Sequence, residues 1–235
     1  MSIAASIANI KERISAVARK AGRNPDSISL MAVSKTAAPG LIHEAYDAGL
    51  RLFGESRVQE FAGKADALRD LDGAEWHMIG HLQTNKAVRA VELFSAVDSV
   101  DSLRLAEKLD AAARGLGKKI SVLIEIDVGG EVAKSGVTSG SAELEELLRS
   151  APNFEGLEFR GLLTVPPFAD DPEQARPYFR QLRELRDGIA ARRLPGLDMK
   201  VLSMGMSHDF EVAIEEGSTC VRVGTAIFGG REAGQ

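Results

Sequence analysis

From residue 28 onward, short β-rich runs alternate with longer segments of helical period, and this alternation constrains the fold more than any other feature of the chain. Strands are expected at 28–35, 51–54, 75–80, 93–97, 120–127, 157–164, 199–204 and 220–225, eight in all. Several are near-continuous apolar runs, such as Val122, Leu123, Ile124 with Ile126, as strands covered on both faces are. The helices between them carry their own punctuation. Pro39 suits a first helical position and Gly49 a left-handed stop; Ser56 with Gln59, and Asp171 with Pro172 and Gln174, read as helix starts. Further helices are expected at 101–114, 141–150 and 172–193. No Pro- or Ser-rich linker interrupts the series, so residues 1–235 read as a single domain.

Eight such units could close as a barrel or spread as an open sheet. An open nucleotide-binding sheet usually has a Gly-rich turn after its first strand, whereas here that strand ends Val33, Ser34, Lys35, Thr36. Glycines and hydroxyls cluster instead after the seventh and eighth strands, where barrels place a phosphate site. The expected fold is therefore a single (β/α)₈ TIM barrel, which at about 250 residues typically needs one domain of this length. An extra helix precedes it within 1–22, where Ile3, Ile7, Ile10, Ile14 and Val17 form one apolar stripe. A mitochondrial presequence shares this amphipathic, acid-poor character, but the stripe reads more simply as a helix docked on the barrel.

Composition narrows the function classes. A net charge of −5 argues against general nucleic-acid affinity, while leaving room for a local cationic pocket that takes one small anion. No run approaches the roughly 18 apolar residues of a membrane span. The single cysteine, Cys220, excludes an internal disulfide and a thiolate cluster, so a cytoplasmic location is expected. The four histidines show no short-spaced ligand pattern, and no metal site is expected. Cys220 reads as a buried thiol and His77 as a satisfied core histidine.

Two cations stand where apolar residues belong. Lys35 shares strand parity with Met31 and Val33, so in a barrel it points inward near the C-terminal rim. Desolvation there would favour the neutral amine that forms a Schiff base; taken alone, a rim lysine snorkelling to water is the commoner reading. Arg222, within Val221-Arg222-Val223, needs an acceptor. Either a ligand lies over the bare Gly224 beside it, or an internal ion pair joins it to Glu55, Glu125 or Asp127. Ser203, Met204, Gly205, Met206, Ser207 and then Gly224, Thr225 offer hydroxyls and bare amides on two loops that a barrel converges, although Ser207 taken singly is a helix N-cap.

Six blocks in order, Ala32-Val33-Ser34-Lys35-Thr36, Phe53-Gly54-Glu55, Trp76-His77-Met78-Ile79-Gly80 with Leu82-Gln83-Thr84-Asn85-Lys86, Lys134-Ser135-Gly136, Met204-Gly205-Met206-Ser207 and Arg222 to Gly229, resemble the pyridoxal-phosphate homeostasis proteins. That family is similar to a free-standing alanine-racemase N-terminal barrel. The resemblance implies pyridoxal 5′-phosphate held as an internal aldimine without an established turnover reaction, in a monomer that could supply apoenzymes dependent on it. It further implies that Lys35 carries the Schiff base, that Arg222 contacts the pyridine nitrogen, and that Ser203, Gly205, Gly224 and Thr225 hold the phosphate. His77 and Asn85 match positions near the site. One departure is Ser56, where the family usually has Asn. An arginine at the ring nitrogen weakens the cofactor as an electron sink. A racemase would also need a second acid/base group, and the only tyrosines are Tyr46 and Tyr178, both in expected helices. A racemase or related enzyme is the alternative reading, and a barrel acting on phosphorylated sugars through Lys35 is a third.

Overall fold

The computed structural model describes residues 2–129 and 135–229. Helix α1 (Ile3–Lys20) precedes a regular series: β1 (Ser29–Val33), α2 (Pro39–Asp47), β2 (Leu52–Glu55), α3 (Val58–Lys64), β3 (Glu75–Met78), α4 (Ala87–Leu93), β4 (Ala96–Val100), α5 (Leu103–Gly115) and β5 (Ile120–Asp127). The second half adds β6 (Val137–Thr138), α6 (Ala142–Ser150), β7 (Leu157–Leu163), α7 (Arg176–Ala191), β8 (Leu197–Met206), α8 (Phe210–Glu215), β9 (Cys220–Val223) and α9 (Thr225–Phe228). Eight of the strands pair in the order β4-β3-β2-β1-β9-β8-β7-β5, and β4 pairs with β5 to close the ring. All these ladders are parallel, so the expected (β/α)₈ barrel is formed and has no free edge. The two-residue β6 is an addition, laid beside the end of β5 with Val137 opposite Ile126.

Local chemistry explains most element boundaries. Ala38 precedes α2 with Pro39 in its first turn, and Gly49 follows it at φ 88°. Ser102 and Ser141 accept the amides of Leu105 and Leu144 to start α5 and α6, and Asp171 accepts that of Glu173. Two expectations fail here. Ser56 caps nothing: α3 starts after Arg57 without a side-chain cap, and Ser56 lies under Gly80, where an added Cβ would clash with its backbone. The fourth strand, expected at 93–97, runs Ala96–Val100, and Leu93 belongs to α4. Its polar Asp98 and Ser99 resemble a strand end in sequence, yet they are buried because His77 and the Gly80 carbonyl receive them.

The main apolar core lies between the strands and the helical ring, where the Ile3, Ile7, Ile10 and Ile14 stripe of α1 is buried as expected. Arg13 anchors that helix through Glu211 at 2.9 Å and lies over the Phe210 ring. The barrel interior differs in kind. Its apolar members, Met31, Ala96, Leu123, Leu163 and Cys220, stand apart from the outer core and share the interior with His77, Asp98, Glu125, Ser203 and Arg222. Close crossings shape this wall, and a Cβ on Gly161 of β7 would overlap the Val201 carbonyl of β8.

Candidate functional site

A parallel barrel brings the C-terminal ends of all its strands to one face, and the sequence-predicted residues gather there. Arg222 is 3% exposed. Its Nη1 donates to Ser203 Oγ at 2.7 Å and its Nη2 to the Thr164 carbonyl at 2.8 Å. The ion pair expected as its alternative is not formed: Glu55 is held by Lys64, Glu125 by Ser135, and among the described residues no carboxylate pairs with Arg222. Burial lowers the guanidinium pKa, and the fields of Cys220, Asp98, Glu125 and Asp209 oppose it. Of five N–H donors, two reach neutral acceptors, which leaves donor capacity inside the barrel and, among the described residues, no direct ion-pair partner for the charge.

The rim above β8 and β9 is built from close approaches. A Cβ on Gly205, at φ 94°, would fall 2.6 Å from the Ala213 Cβ, so the bare residue lets α8 cross the end of β8. Gly224 has a structural reason to be bare besides the ligand expected over it. A Cβ there would stand 3.2 Å from the Val33 oxygen, so the glycine accommodates β1 as well as any ligand. Its amide donates to Ser207 Oγ at 3.3 Å. Ser207 is therefore not the N-cap expected of it: α8 begins after Asp209, whose carboxylate accepts the Met206 amide. Thr225 is exposed at the start of α9, where the first amides have no intrahelical acceptor. Ser203 lies deeper, fully buried beside Arg222.

Lys35 departs from expectation. β1 ends at Val33, and Lys35 stands exposed in the turn that follows rather than desolvated. The turn itself is fixed from below. Lys64 Nζ donates to the Ser34 carbonyl at 2.8 Å and pairs with Glu55 Oε1 at 2.8 Å, and Ser34 Oγ donates to the same carboxylate oxygen. Glu55 is fully buried; burial raises its pKa, and the Lys64 and Ser34 hydrogen bonds oppose that rise. Its Oε2 has no partner. Sequence reasoning missed this support because a lysine in the last turn of a helix ordinarily faces water.

Elsewhere in the barrel, His77 Nδ1 donates to Asp98 Oδ2 at 3.0 Å, a satisfied histidine as its strand position suggested. Burial pushes the Cys220 thiol up to about 12, which makes it inert. Among the described residues no cluster of His, Cys, Asp or Glu is arranged for a metal, and no helix is long and apolar enough to cross a membrane. Lys134 of the Lys134-Ser135-Gly136 block lies outside the described residues. Asn85 is exposed in a 3₁₀ turn.

Residues 5–232 match the family described as alanine racemase, N-terminal domain. The pyridoxal phosphate homeostasis protein of Aquifex aeolicus is 45% identical over 226 residues, 96% of this chain and 97% of that one. This chain belongs to that family. The Escherichia coli K12 member is 42% identical over 234 residues, covering 98% of this chain and 97% of its own. Among solved structures, PipY of Synechococcus elongatus with PLP bound superposes with a TM-score of 0.85 at 36% identity, covering 97% of this chain and all of PipY (100%). Family membership and the closed barrel thus agree with the resemblance drawn from the six sequence blocks.

Proposed function

We propose that this chain holds pyridoxal 5′-phosphate covalently through Lys35 and keeps it in reserve for apoenzymes inside the cell. The observation that carries the proposal is Arg222: a guanidinium buried in the barrel, bonded only to neutral acceptors, beneath a rim that bears the Lys35 amine and the first amides of α9. Those groups fit an anionic, phosphorylated aldehyde with a ring acceptor. When bound, the cofactor supplies an aldehyde that condenses with a primary amine. Lys35 would offer that amine from a turn that Lys64 and Glu55 hold in place. Arg222 would donate to the pyridine nitrogen, with Ser203 fixing the guanidinium. Gly205, Gly224 and Thr225 would hold the phosphate together with Ser203, and Ser207 joins them through its contact with Gly224.

Storage rather than turnover is favoured by the residues at the mouth. An arginine donating to the ring nitrogen disfavours its protonation. Tyr46 Oη donates to the Asp72 carbonyl at 2.7 Å with Arg51 stacked on its ring, and Tyr178 lies on α7 in the outer ring, so neither tyrosine stands at a C-terminal strand end. A monomer acting in the cytoplasm suits this role. The test is borohydride reduction of the chain loaded with pyridoxal 5′-phosphate, followed by peptide mass spectrometry. A pyridoxyl mass on Lys35, absent from Lys35→Ala together with the yellow absorbance, is expected; the mass on another residue, or on none, overturns the proposal.

A further inference from the structure

At the mouth of the barrel, a cavity of about 260 Å³ opens between the ends of β3, β5 and β7. Ile79 and Val165 give it apolar walls, with Val165 unusually exposed for its type at 39%. Glu125 lines the cavity and is 7% exposed. Its Oε1 accepts from Ser135 Oγ at 2.8 Å, and among the described residues no cation pairs with it. Burial raises the pKa of this carboxyl; Ser135 opposes the rise, Asp101 adds to it, and Arg222 and His81 act from further off to reduce it. Asp127, two residues on, accepts the Gly129 amide at 3.0 Å, and His81 is bonded to Asp101 at 2.8 Å.

A cavity that sets the apolar Ile79 and Val165 beside the buried Glu125 carboxylate, with His81, Asp127 and Ser135 also in its lining, suits an aliphatic ammonium: a hydrocarbon stem with a cationic head. We infer that this cavity is a subsite for a primary alkylammonium group of the lysine side-chain type. An α-amino acid fits it poorly, because its carboxylate would sit beside Glu125 with like charge. The subsite thus selects amines without a neighbouring carboxylate. That it holds the amine which receives the cofactor rests on the proposed function; that it binds alkylammonium does not.

The experiment is a chemical-shift titration of the ¹⁵N-labelled full chain, free of cofactor, with n-butylamine, Nα-acetyl-lysine methylamide, sodium butyrate and L-alanine. The two amines should shift the amides of Gly80, His81 and Ile126, and butyrate and alanine should not. A response to n-butylamine alone would assign the subsite to free amines; a response to both extends it to lysine side chains of proteins. Glu125→Gln should weaken n-butylamine binding by about thirtyfold or more. Val165→Lys, which keeps Glu125 and tethers an ammonium beside it, should abolish the response and guards against a misfolded Gln variant. Equal responses to alanine and n-butylamine, or binding unaffected by both substitutions, overturn the inference. Loss of the pyridoxyl adduct with n-butylamine binding intact would instead count against the proposed function alone.

Discussion

The His77–Asp98 pair makes the stability of this barrel depend on alkaline pH, by an amount the geometry sets. His77 Nδ1 lies 3.0 Å from Asp98 Oδ2 and Nε2 lies 3.9 Å from Glu75 Oε2. Burial alone would lower the imidazole pKa, but the charge and hydrogen bond of Asp98, with help from Glu75, outweigh it and raise the value from 6.5 to about 9. Because the folded state holds the proton more tightly than the unfolded chain, the stabilisation is complete below about pH 6.5 and disappears as pH rises through about 9. That rise corresponds to about 3 kcal/mol. With side-chain exposures of 18% and 3%, solvent screening removes little of it. For a chain of this length the melting temperature should respond by roughly 6–12 °C. Calorimetric melts of the parent and of His77→Gln, from about pH 6 to about pH 10, isolate the effect, since other titrations cancel in the difference. The parent should melt well above the variant at the acid end, and the gap should close at the alkaline end. A gap that stays constant across the range would refute the assignment of a charged imidazole.

Lys64→Met removes the one cation that pairs with the buried Glu55 among the described residues and should cost about 3–5 kcal/mol in urea unfolding, with part of the loss restored in the Glu55→Gln, Lys64→Met double variant. The single variant should also load pyridoxal 5′-phosphate less completely, because the Ser34 carbonyl loses its donor and the turn that carries Lys35 loosens. Arg222→Met should leave the unfolding free energy of the cofactor-free chain within about 1 kcal/mol of the parent, as relief of a buried charge without a direct ion-pair partner offsets the two hydrogen bonds lost. Its cofactor affinity, followed by absorbance titration, should fall at least tenfold by the usual worth of about 1.5–3 kcal/mol for a hydrogen bond to a charged group. A stability loss of about 3 kcal/mol or more would show that the guanidinium is compensated within the protein.

The barrel was legible because its signal is repeated: eight strands with apolar runs, separated by segments of helical period, leave few alternatives. What escaped lay where polar side chains are buried. Asp98 and Ser99 shifted the fourth strand, since hydropathy cannot register that His77 and a carbonyl await them. Ser56 and Ser207 each had the composition of a cap, yet one is wedged under Gly80 and the other is turned to the Gly224 amide by a neighbouring strand. The positions of Lys35 and Arg222 at the mouth were readable from strand parity and chain order. Their surroundings were not: parity placed Lys35 inward, but β1 ends two residues earlier, and the Lys64–Glu55 support comes from an element 30 residues away.

The interior itself argues for a ligand at the mouth. Barrels of this type normally fill the cylinder with layers of branched apolar side chains, whereas this one carries Arg222, Asp98, His77 and Glu125. Asp98 and His77 answer each other. Arg222 and Glu125 do not pair directly: each is more than nine-tenths buried, each has only neutral hydrogen-bond partners, and β8 and β7 stand between their strands, β9 and β5. A barrel selected for stability alone would bring such charges together or replace them with hydrocarbon. Held apart, they present a cationic side beneath the Gly224 rim and an anionic side beneath Val165. Two partners of opposite charge can then meet over the centre, each stabilised where the other would be repelled. Under the proposed function, such a placement would suit exchange between an anionic aldehyde and a cationic amine, and would give no advantage to a substrate that carries both charges on neighbouring atoms.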